Sequence, residues 1–177
     1  MKRRTFLKLG AFGPAMLALQ QLPARAAWLP GAPAAAGLSE PGAKRVLNEE
    51  ESELLMAIVE RMVDTGEPGA PAPREIGTLA TIQAALASLD ASLVDELRLA
   101  LRLVDYWPLV FEFRFRRFSS LPAEARDQSL EGWRSSRIEM RRRVFYALRN
   151  LSLLGYWSQD ETWPLIGYLG PWIRRPA

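Results

Sequence analysis

The chain has 177 residues, 49% of them apolar and 24% charged, enough for one domain with a true core and not the composition of a disordered chain. It contains no cysteine and no histidine, which removes the usual ligands of zinc, haem and iron–sulfur centres together with thiol nucleophiles and imidazole acid–base chemistry. A carboxylate-only enzyme is the one catalytic reading left, and it is not the favoured one. Five of the 23 basic residues (Lys2, Arg3, Arg4, Lys8 and Arg25) lie in the first 26 positions, so the rest of the chain holds 18 basic against 20 acidic residues, a net of −2. Without that segment there is no global electrostatic reason to expect nucleic acid or an anionic membrane as partner.

The opening, MKRRTFLKLGAFGPAMLALQQLPARAAW, has a basic start, an apolar stretch from Leu9 to Leu19 and a small-residue cleavage site at Ala24-Arg25-Ala26. The apolar stretch is too short to span a bilayer as a helix, which takes about 20 residues. Clustered cations, Gly10, Gly13 and Pro14 also make a poor core helix. Residues 1–26 therefore read as a signal peptide. Arg3-Arg4-Thr5-Phe6-Leu7-Lys8 matches the twin-arginine pattern, with Arg3, Arg4, Phe6, Leu7 and Lys8 as its recognition residues, and Ala24 and Ala26 form the cleavage site before Ala27. An uncleaved signal serving as a membrane tether is the minor alternative. The twin-arginine route carries folded proteins, commonly ones loaded with a cofactor, yet this chain offers no residues that would bind one. The expectation is that the signal serves a second polypeptide exported with it.

Residues 27–47, with Pro30, Gly31, Pro33, Gly37, Pro41 and Gly42, read as a flexible linker. Residues 48–177 form the helical domain. Asn48 with Glu51 makes a capping-box start, and Leu54, Leu55, Ile58, Val59 and Met62 supply an apolar stripe. The prolines and glycines of 64–73 break that helix. A second helix is expected over about 74–89, and a third opens at Ser92 and is ended or kinked by Pro108. The segment FEFRFRRF (111–118) fits both strand and helix periodicities; with no strand partner in the sequence, helix is preferred. Pro122 and Glu124 mark a start at the first helical position. A long helix follows over about 136–154 with Gly155 as its C′ residue, and a short one opens at Ser158 and closes at Gly167. The fold class expected is all-α, an irregular bundle of about five to seven helices after the signal segment and linker.

Two clusters stand out. Arg137, Arg141, Arg142, Arg143 and Arg149 give the long helix a basic flank, for which a solvated face partly paired with Glu139 is the ordinary reading and a docking surface the functional one. Tyr156, Trp157, Trp163, Tyr168 and Trp172 crowd large aromatics among Gly155, Gly167, Gly170 and Pro171 near the C-terminus. Such rings either plug a bundle's open end or anchor a partner.

The tail Gly155-Tyr156-Trp157, Thr162-Trp163, Ile166-Gly167-Tyr168 and Gly170-Pro171-Trp172 resembles the small subunit (subunit 3, or gamma chain) of gluconate 2-dehydrogenase and related sugar dehydrogenases. The order of parts is also similar: the RRTFLK signal, a Leu-Asn-Glu-Glu-Glu helix start, a Gly-Glu-Pro-Gly-Ala break and a Phe-Ser-Ser-Leu-Pro-Ala-Glu helix start. Asp64-Thr65-Gly66 departs from the family's pattern, which has a proline-containing loop start there. The resemblance implies a non-catalytic, chaperone-like partner of a large FAD-dependent oxidoreductase of the glucose–methanol–choline class, which passes electrons to a cytochrome c subunit or domain. It implies periplasmic localisation, export by the twin-arginine translocase, membrane association through the complex, and no cofactor, metal or catalytic residue in this chain. The partner interface expected is Trp157, Trp163, Tyr168, Gly170, Pro171 and Trp172, with Arg141 and Arg142 as secondary contacts. The alternative is an independent periplasmic module that binds a small ligand through its aromatic tail.

Overall fold

The computed structural model describes residues 46–111 and 115–170. The signal residues Arg3, Arg4, Phe6, Leu7, Lys8, Ala24 and Ala26, most of the linker, and Pro171 and Trp172 of the expected interface lie outside the described residues. Within them the chain is all-α, with no strand. Its helices are α1 (Glu49–Met62), α2 (Thr78–Ala87), α3 (Ala91–Phe111), α4 (Ala123–Arg134) and α5 (Glu139–Trp157), with 3-10 segments at Phe118–Ser120 and Asp160–Ile166.

α1 begins where local chemistry directs it. Asn48 Oδ1 accepts the Glu51 amide at 2.8 Å and Glu51 Oε2 accepts the Asn48 amide at 3.1 Å, so two otherwise unpaired helix-end donors are satisfied. The six residues from Leu54 to Val59 are all buried. A run of that length covers every face of a helix, so α1 lies inside the bundle rather than on its surface with one stripe turned inward. α1 packs on α3, α4 and α5, and α5 packs on α1, α2, α4 and the second 3-10 segment. α1 and α5 are thus the shared core, and the remaining elements are arranged around them.

Leu47, placed in the linker by sequence, is 1% exposed and belongs to this core. The backbone amides of Val46 and Leu47 both donate to Gln83 Oε1 of α2, and Arg98 of α3 donates to the Val46 carbonyl. Val46 and Leu47 therefore belong to the folded body. Arg61 near the end of α1 makes a two-pronged pair with Asp127 of α4, both contacts at 2.7 Å, and the hydrogen bonds it donates to Asp127 raise the guanidinium's pKa above its ordinary value.

Four sequence expectations are corrected. α2 starts at Thr78 and not near Arg74, because residues 74–77 make turns that end at Gly77, whose φ of 73° is left-handed. Pro108 does not end α3, one of the two outcomes expected of it. It lies buried within the helix, which continues one turn to Phe111. Residues 115–117 are not helical: Phe115 has φ 42°, and Ser119 donates its amide to the buried carboxylate of Asp105 at 3.0 Å, a bond that turns the chain back along α3. Gly155 is not a C′ residue, because α5 runs on to Trp157. A smaller shift is that Pro122 caps α4 rather than occupying its first turn.

Candidate interaction surface

The aromatic tail starts from the last turn of α5 and is graded from core to surface. Tyr156 is 1% exposed; its hydroxyl donates to the Pro71 carbonyl at 3.1 Å, and burial pushes its pKa up. This bond ties the Pro/Gly-rich loop after α1 to the end of α5. Trp157 stands edge-on to Tyr156 at 5.2 Å and is half-buried. The Trp157 carbonyl accepts the indole N–H of Trp163 at 3.3 Å, and Trp163 stands edge-on to Tyr168 at 5.1 Å. Tyr168 is 42% exposed, Ile166 61% and Leu169 92%.

A buried polar knot holds this geometry. Gln159 donates through Nε2 to Thr81 Oγ1 at 2.8 Å and to the Gly155 carbonyl at 2.9 Å, and Thr162 Oγ1 lies 2.8 Å from the Gln159 carbonyl. The 3-10 segment is therefore pinned to α2 and α5. Gly167, with φ 69°, ends it, and Gly170, with φ 97°, also takes a conformation that side chains disfavour. Trp157 and Trp163 are half-covered and Tyr168 faces outward, so the tail provides a partial, rigidly held aromatic surface.

Arg141 and Arg142 are not part of that surface. They lie at the opposite end of α5, 16 residues from Trp157, or about 24 Å along the helix axis. Arg142 Nη1 donates to the Ser136 carbonyl at 2.6 Å, fastening the α4–α5 turn. The Arg141 guanidinium lies 4.3 Å from the ring centre of Trp107 and 5.0 Å from that of Trp133. Of the basic flank, Arg143 pairs with Glu139 one turn away, as the ordinary reading expects, while Arg137 and Arg149 are exposed.

Sequence reasoning missed a second aromatic cluster at this end. Trp107 stacks on Phe111 at 4.1 Å with 22° between planes, and stands edge-on to the buried Trp133 at 5.2 Å. The available signal was the unbroken run Trp107-Pro108-Leu109-Val110-Phe111, too apolar on all sides for the solvent-facing part of a helix.

A cleft of about 570 Å³ is lined by residues of α1 and α3 together with Arg74, Arg117, Ser119 and Arg126. A smaller one of about 220 Å³ lies against the loop after α1 and Tyr156. Neither is lined by Trp157, Trp163 or Tyr168. Among the described residues no group of His, Cys, Asp and Glu could hold a metal ion, and no helix is long and apolar enough to cross a membrane. The chain matches no family model, no curated protein and no solved structure.

Proposed function

We propose that this chain is the non-catalytic small subunit of an exported FAD-dependent dehydrogenase complex of the gluconate, sugar or alcohol type. It carries the twin-arginine address for a large glucose–methanol–choline-type flavoprotein and stabilises that subunit during assembly. The observation that carries the reading is one combination: a six-residue twin-arginine match on a polypeptide with no cysteine and no histidine. A folded-state export tag needs a folded-state cargo, and the cargo that requires it is another chain. The resemblance of the tail supplies the class of that chain.

Two features of the folded body support an accessory role. Tyr168, Ile166 and Leu169 leave apolar surface at the tail, and the end of α3 leaves more. Exposed apolar groups gathered at defined places are what a subunit interface requires. Of the tail aromatics, Trp157, Trp163 and Tyr168 line neither of these two clefts, and Tyr156 borders the smaller one.

The test is affinity isolation of the tagged full chain from the periplasm, followed by mass spectrometry and a flavin absorbance spectrum. A stoichiometric large polypeptide with bound flavin is the expected result. A monodisperse lone chain with a ligand-responsive tryptophan signal would replace this reading with the binding-module one.

A further inference from the structure

The last turn of α3 carries exposed apolar side chains. Leu109, Val110 and Phe111 are 39%, 55% and 58% exposed, and Tyr106 one turn earlier is 41% exposed. Successive helical residues point 100° apart, so three exposed neighbours leave most of the circumference of that turn uncovered. Beyond it Phe115 is 88% exposed at φ 42°, a left-handed conformation that disfavours any side chain.

The base of this turn is firmly built. Phe111 stacks on Trp107, Trp107 abuts the buried Trp133, and Arg141 lies over both indoles. Phe111 is therefore held in place before any partner arrives, which lowers the entropic cost of docking it. Cations flank them. Arg116 and Arg117 are exposed and make no ion pair among the described residues, and Arg117 lies 4.7 Å over the Tyr106 ring. Residues 111–118 carry three arginines against one glutamate.

We propose that this end of α3, with Phe115 beside it, docks into an apolar pocket rimmed by carboxylates on the co-exported subunit. Val110, Phe111 and Phe115 enter the pocket, and Arg116 and Arg117 face its rim. The proposal rests on the reading of the chain as the escort of a second polypeptide. Charge selects the occupant. A second copy of this surface would set arginine against arginine. An anionic lipid surface is recognised by clusters of four to eight basic residues, roughly, and three arginines do not make one. Exposed aromatics with stacked arginine are the composition of protein interface anchors.

The test co-expresses the tagged full chain with its flavoprotein and measures flavoprotein recovered per mole of bait. Val110→Asp/Phe115→Asp should lower recovery at least tenfold, and Arg116→Glu/Arg117→Glu should do so without touching the apolar contacts. Leu99→Asp, an exposed apolar position earlier on the same helix, should leave recovery at the wild-type level. Circular dichroism and melting temperature of each variant alone should match wild type; the charge-reversed pair keeps the test decisive if the first variant misfolds. Wild-type recovery by both variants overturns the proposal. So does a wild-type dimer in sedimentation that V110D/F115D dissolves, or flotation of the lone chain with phosphatidylglycerol vesicles that the variants abolish. If the wild-type chain recovers no flavoprotein at all, the escort reading itself fails and the docking proposal falls with it.

Discussion

A β-carbon built on Gly155 would lie 2.6 Å from Cγ1 of Ile82, so α2 crosses α5 at a point where only a hydrogen fits. Ile82 is fully buried, and the same crossing brings Thr78 Cγ2 to 3.1 Å. Gly155→Ala gains helix propensity worth about 1 kcal/mol. It also forces a buried isoleucine to move, an overpacking cost of about 1–3 kcal/mol. The net expectation is a lower melting temperature, and Gly155→Ala/Ile82→Val should recover part of the loss. Thermal unfolding of the three proteins checks it.

Asp105 is a buried carboxylate whose visible task is to accept the Ser119 amide. Asp105→Ala leaves that amide unpaired at the chain reversal and should cost about 1–3 kcal/mol in urea unfolding. Asp105→Asn keeps an acceptor oxygen and should cost less. Equal losses would show that the hydrogen bond is not what holds the reversal.

Glu96 Oε2 is buried without a hydrogen-bond partner, and desolvation raises the pKa of this carboxyl. A raised folded-state pKa means that the folded protein holds the proton more tightly than the unfolded chain does. The penalty is absent below the unfolded-state pKa, grows as pH rises through the window between the two values, and is complete above the folded one. Glu96→Gln should therefore be more stable relative to wild type at about pH 7.5 than at about pH 4. Melting temperatures at the two pH values measure the difference, and a constant offset would contradict it.

The tail separates two roles by exposure. Trp163 is half-buried and hydrogen-bonded to the Trp157 carbonyl, while Tyr168 next to it faces outward. Trp163→Ala/Trp172→Ala should weaken complex formation more than it lowers the melting temperature of the isolated subunit. The opposite order would make these rings core residues.

What was legible in the sequence is what short-range chemistry decides. Asn48 and Glu51 satisfy each other's backbone, so the start of α1 could be read from four residues. Gly167 ends the last 3-10 segment with the left-handed φ that a terminating glycine supplies. Gly155 was misread because a glycine near a helix end has two explanations, and the one that applies involves Ile82 from more than 70 positions away. The 111–118 segment was misread for a similar reason: its periodicity is ambiguous, and the reversal depends on Asp105 reaching Ser119. In the candidate interface, the mixed aromatic tail left open which rings are buried, and the outward position of Tyr168 comes from the structure. The separation of Arg141 from that tail did not, since it depends on Trp107 and Trp133 lying beneath the guanidinium.

On the proposed reading, the export address belongs functionally to a second polypeptide. Cell fractionation of a strain expressing this chain without residues 1–26 tests it most directly, with flavoprotein activity and immunoblotting as readouts. The flavoprotein is expected to stay in the cytoplasm, and Arg3→Lys/Arg4→Lys in the full chain to strand it in the same way. A flavoprotein that reaches the periplasm in normal amounts under both changes would contradict the account.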